Sequence, residues 1–190
     1  TREGPDVFFI SAGDWRRYAA GRLALPLNES FPQYLKEDIL PAALEAVTLD
    51  GKIYSVPFEM EPVALWYNKE MLAQAGVDVP ATWSDLMAAC EALTTEDRYG
   101  ILIPAVPDYY QNFIFYPFLW MAGGEVMNED FTAAAINTPE AARAFNLWGD
   151  LVKSGYANST EGGPWDIRFP EEQAAMYASG YWVYGLITDI

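Results

Sequence analysis

Apolar and polar positions alternate along this chain in two rhythms, one of period two and one of period 3.6, and the switches between them predict strands and helices in turn. The run PDVFFI at 5–10 reads as a short strand, and Ser11 to Asp14 suits a turn that starts a helix from Trp15 to about Gly21, with Asp14 as its cap. Leu40, Leu44 and Val47 recur at helical spacing behind Pro41, a good first-turn residue. Residues 51–58 return to strand character, with Pro57 at a strand end because it has no N–H for a ladder, and Val63 to Tyr67 form a second apolar run. KEMLAQAG reads as a helix ended by Gly76. The next helix starts at Thr82, with Asp85 completing a capping box.

Farther on, Tyr99 to Pro104 predicts a strand, and Tyr109 to Met121 an aromatic helix closed by Gly123 and Gly124. Pro139 to Gly155 predicts an amphipathic helix capped by Thr138. Glu171 to Ala178 reads as the last helix and Tyr181 to Ile187 as a final strand. This alternation predicts an α/β fold with crossover helices on a mainly parallel sheet.

Composition narrows the function. The 190 residues are 52% hydrophobic, ample for a buried core, and carry 27 acids against 11 bases for a formal charge of −16. Such a balance disfavours nucleic acid and anionic membrane surfaces, since phosphate binding needs clustered Lys and Arg. The chain has no histidine, which removes Ser-His-Asp, Cys-His and ordinary zinc hydrolase arrangements. Its one cysteine, Cys90, falls in the apolar helical run Leu86 to Leu93 and reads as a buried, inert thiol. No apolar run is long enough to span a bilayer, and no cofactor is called for.

Two features carry candidate chemistry. Glu59 and Glu61 are spaced i to i+2, which in an extended chain places both carboxylates on one face about 6.6 Å apart along the strand. A solvated edge explains such a pair, and so does an acidic ligand contact. A carboxylate-dependent glycoside hydrolase is a third reading, although two acids on one strand approach a substrate from the same side rather than flanking the scissile bond. Aromatic residues make up 15% of the chain and concentrate at Tyr109 to Trp120, Trp165 to Phe169 and Tyr177 to Tyr184. Flat rings with polar tips suit a half-wet sugar site, although many of them serve as core.

The block Gly51, Lys52, Tyr54, Pro57, then Tyr67, Asn68, Lys69, then Gly76, Val77, Pro80, Thr82, Trp83 resembles the middle of an ABC-transporter solute-binding protein of the sugar-binding, maltose-binding-protein-like kind. The resemblance implies a type II periplasmic-binding-protein fold, incomplete at both ends. Residues 1–58 would belong to the first lobe, 59–62 to the crossing and 63–190 to most of the second lobe. A sheet lacking its opening strand would expose an edge that favours self-association. The implied function is non-enzymatic: capture of a sugar or oligosaccharide in an acidic, aromatic-lined cleft and delivery to a membrane permease, in the periplasm or on a lipid-anchored surface protein. A cationic solute such as a polyamine is the alternative ligand. By the same resemblance, Asp14, Trp15, Glu59 and Glu61 face the ligand, Tyr110, Phe113 and Tyr116 approach stacking positions with Asp108 as a substitute, and Trp182 forms the platform, joined by Tyr184 and Trp165.

Overall fold

The computed structural model describes residues 4–104, 109–158 and 168–188. The chain divides into two compact units, Thr1–Met60 and Glu61–Ile190.

The first unit is built from three short helices, α1 (Trp15–Ala20), α2 (Gln33–Asp38) and α3 (Pro41–Ala46), and a hairpin of β1 (Thr48–Leu49) and β2 (Lys52–Ile53). Asp50 and Gly51 join the two strands with φ of 50° and 72°. Positive φ at both central residues is what a tight hairpin turn needs, and Asp-Gly meets it at low cost. Asn28 clips the hairpin to the preceding loop, donating from Nδ2 to the Gly51 carbonyl and accepting from the Ile53 N–H, each at 3.0 Å.

Two expectations change here. The run 5–10 is irregular, because no strand among the described residues lies beside it, and Val7 and Phe9 stay 89% and 86% exposed. The predicted strand 51–58 is paired only at Lys52 and Ile53, after which Tyr54 adds one bond to the Val47 carbonyl and Pro57 has no donor to continue.

In the second unit a three-stranded sheet runs in the order β3 (Ala64–Tyr67), β5 (Ala174–Ser179), β4 (Tyr99–Leu102). The central β5 is antiparallel to β3 and parallel to β4, so the described sheet is mixed rather than mainly parallel. Around it lie α4 (Lys69–Ala75), α5 (Trp83–Leu93), α6 (Tyr109–Met121) and α7 (Pro139–Lys153). Local chemistry sets their ends. The Asn68 side chain accepts the Glu70 and Met71 N–H groups at the start of α4, and Gly76 ends it at φ 67°. Thr82 and Asp85 form a complete capping box on α5. α7 buries Ala141, Ala144, Trp148 and Leu151 along one stripe. Where α5 crosses β4 the sheet has no room for a side chain: a Cβ on Gly100 would stand 2.6 Å from the Cys90 Cα.

The end of the chain reverses two predictions. Residues 174–179 form the central strand instead of a helix, and all six are buried. Their Ala, Met and Ala favour a helix intrinsically, but a ladder on both edges outweighs a propensity difference of a few tenths of a kcal/mol per residue. Residues 181–187, predicted as a strand, form a 3-10 turn (Tyr181–Val183) and then α8 (Tyr184–Thr188). There the chain has left the sheet, and Val183 alone turns fully into the core beside Leu102 and Tyr177.

Candidate functional site

The second unit gathers five residues from four elements at the C-terminal end of β5. Ser179, fully buried, is the last residue of that strand, and its carbonyl accepts the Trp66 Nε1–H from β3 at 3.1 Å. Its Oγ lies 3.1 Å from the Tyr110 hydroxyl, which reaches in from the first turn of α6. Trp182, on the turn after β5, donates Nε1–H to the same Tyr110 oxygen at 3.2 Å. The Trp182 ring is half-buried and meets two rings edge-on: Tyr110 at 5.8 Å between centroids and Phe113 at 6.2 Å. Tilted pairs at this spacing bring the positive ring edge onto the negative face.

Gly180 explains why the indole fits. A Cβ there would overlap the benzo edge of the Trp182 ring, so the ring folds back onto bare backbone. The Gly-x-Trp pattern therefore has a steric cause. Phe113 remains 44% exposed beside the platform, and Tyr184, 47% exposed, stacks on Tyr181 at 5.2 Å with ring planes 9° apart. The outcome is an apolar, partly wet wall of flat rings in which the Trp182 indole N–H, the Tyr110 hydroxyl and the Ser179 hydroxyl are joined in a chain. Such a wall offers stacking area rather than acid-base chemistry.

Tyr116 belongs to a different part of the second unit. Tyr116 packs at 5.9 Å on Trp120 and lines a cavity of about 480 Å³ between α6 and α7, with Phe115, Phe145 and Trp148. That cavity excludes Trp182 and Phe113 from its lining. The buried Trp148 indole nitrogen has no hydrogen-bond partner among the described residues and no access to solvent, a cost of about 1–3 kcal/mol absorbed by the packing around it.

Glu61 opens the second unit and is half-buried, while the exposed Glu59 belongs to the first. In the first unit Asp14 does not cap α1 with its side chain. Instead it accepts from Ser11 Oγ at 3.0 Å and pairs with Arg17 at 3.1 Å. An exposed pair of this sort contributes about 0–1 kcal/mol. Trp15 is only 6% exposed, with the Arg16 guanidinium 5.1 Å from its ring and Tyr54 at 6.3 Å. Asp108 and Trp165 lie outside the described residues. Ser179 and Trp66 were missed by sequence reasoning. A small polar residue at the end of an otherwise apolar run was the available signal, hidden by reading that run as a helix.

Residues 1–189 match the family model of the bacterial extracellular solute-binding protein. The chain belongs to that family. It is 27% identical to the maltotriose-binding protein of Pyrococcus abyssi over 98% of this chain and 40% of the relative. It is 29% identical to an uncharacterized ABC transporter extracellular-binding protein of Pyrococcus horikoshii over 80% of this chain and 38% of the relative. Among solved structures, an ABC transporter solute-binding protein from Thermotoga lettingae bound with α-D-tagatose superposes with a TM-score of 0.84 at 26% identity, over 98% of this chain and 50% of that one. The GacH receptor of Streptomyces glaucescens, solved unliganded and with acarbose, gives 0.82 at 27% identity, over 98% of this chain and 48% of that one. The chain thus spans half or less of the length of these relatives, and its architecture is that of the type II periplasmic binding proteins.

Proposed function

We propose that the protein acts as the substrate-binding component of an ABC importer, capturing a sugar or oligosaccharide and delivering it to a membrane permease. The observation that carries this reading is the wall formed by Trp182 and Phe113, half-exposed rings held edge to face at the end of the central strand. Rings of this kind stack on the C–H faces of a sugar, while a nearby carboxylate supplies charge-assisted bonds to hydroxyls. Glu61, in the same unit, is the acceptor we assign to that second role. Relatives whose names or bound ligands are maltotriose, tagatose and acarbose support a carbohydrate ligand.

The same reading makes the protein a receptor without catalytic activity, placed outside the cell membrane, either free in a periplasm or tethered to the surface. Among the described residues no helix is long and apolar enough to cross a membrane. Titration calorimetry of the full-length protein with a panel of mono- and oligosaccharides tests the reading. Heat is expected from at least one sugar, with affinity falling at least tenfold in Trp182→Ala and Phe113→Ala. A silent panel would sink it.

A further inference from the structure

We propose that Tyr110 is a positioning residue, whose hydroxyl holds the Trp182 indole in its ligand-ready orientation before any ligand arrives. This rests on the sugar-binding reading for its purpose, though not for its geometry. A tryptophan side chain turns about two torsions. Gly180 leaves the ring the space that a Cβ would fill, and the Nε1–H to Tyr110 Oη bond at 3.2 Å fixes where its polar edge points. The indole nitrogen is a donor only, so the phenol oxygen must accept from it. The second link, Tyr110 Oη to Ser179 Oγ at 3.1 Å, ties the phenol to a fully buried serine on the central strand. Ser179 is itself anchored through its carbonyl by Trp66 of β3. The orientation of one half-exposed ring is thereby referred back to two strands of the sheet.

Two consequences follow for specificity. With its N–H engaged, Trp182 offers a ligand its ring face and no hydrogen bond, so the direction of the ligand's hydroxyls is set by other groups. The roles along α6 also separate. Phe113 is the contact residue, 44% exposed beside the platform, and Tyr110 works through Trp182. Preorganising one side chain with several rotamers removes an ordering cost that corresponds to about a 3- to 10-fold change in affinity.

The test uses the full-length protein with Tyr110→Phe, which keeps the ring and removes the hydroxyl, and Ser179→Ala, which removes the hydroxyl that Tyr110 meets. In the ligand-free state the ¹H–¹⁵N indole resonance of Trp182, assigned by its loss in Trp182→Phe, should move upfield and exchange faster in Tyr110→Phe, and move in the same direction by less in Ser179→Ala. An unmoved resonance in both variants overturns the proposal. Maltotriose is the binding probe, backed by the sugar panel, and the best-bound sugar should bind about 3- to 10-fold more weakly to Tyr110→Phe with a less favourable entropy. Unchanged affinity there would also overturn it. If the wild type binds none of the panel while the indole resonance shifts as expected, the sugar reading falls and the positioning role stands.

Discussion

Gly180→Ala isolates a single steric contact. The glycine has φ −83° and ψ −180°, an extended conformation open to alanine, so backbone strain plays no part. The added methyl would occupy the volume of the Trp182 benzo ring. Because Gly180 is buried at the end of β5, the strand has little freedom to retreat, and the indole is the part that moves. Its departure breaks the hydrogen bond to Tyr110, worth about 0.5–1.5 kcal/mol net. It also breaks the edge contacts with Tyr110 and Phe113, worth about 0.5–1.5 kcal/mol each beyond area burial. Together these give a loss of about 1.5–4.5 kcal/mol, overlapping the range of about 1–3 kcal/mol usual for overpacked cores. Urea unfolding followed by far-UV circular dichroism should show a lower midpoint at unchanged slope, with sugar affinity lost in parallel. A double-mutant cycle sharpens the assignment. In a Trp182→Leu background, Gly180→Ala should cost less than about 0.5 kcal/mol, since the clashing ring is gone. Equal costs in both backgrounds would refute the idea that the glycine exists for the indole.

Gly100→Ala drives a methyl against the Cys90 main chain, with its Cα at 2.6 Å and its oxygen at 2.7 Å, atoms that cannot swing aside, so a loss of up to about 3 kcal/mol is expected in urea melts. Thr82→Ala should remove about 0.5–2 kcal/mol from the start of α5. The hydrogen bond from Thr82 holds the Asp85 carboxyl below its ordinary range. A depressed folded-state value means stabilisation that is complete above the unfolded pKa of about 3.9 and lost as pH falls through the folded one, so the gap between wild type and Thr82→Ala should narrow under acid. Desolvation pushes the Cys90 thiol up to about 12. An aromatic disulfide reagent at pH 8 should therefore leave native protein unlabelled and react once urea unfolds it. The raised value also implies stability that is whole below the unfolded thiol's pKa of about 8.5 and declines as pH rises above it.

Where a local signal and its tertiary context agreed, the sequence was a sufficient guide. The capping box at Thr82, the glycine stop at Gly76, and the limits of α6 and of the start of α7 depend on groups within a few residues of each other, and each appears as read. Pairing between distant segments was harder to see. Residues 174–179 and 181–187 exchanged their expected states because a ladder from β3 and β4 decides them, and neither neighbour is visible in a local window. The Asp50-Gly51 dipeptide is a hairpin signal that reading 51–58 as one strand passed over. Three of the proposed site residues, Tyr110, Phe113 and Trp182, meet in space. Ser179, which ties the phenol of that cluster to the sheet, stayed hidden because its strand was taken for a helix.

β5 is bonded along both edges, and all six of its residues are buried. Amides in such a strand exchange with solvent only when the domain as a whole opens. The ring platform hangs from the last residues of that strand, so it sits on the least yielding part of the domain rather than on a loop that frays early. Recognition and folding should then vanish together: a denaturant series monitored by bound sugar and by slow-exchanging backbone protons would trace one coincident transition.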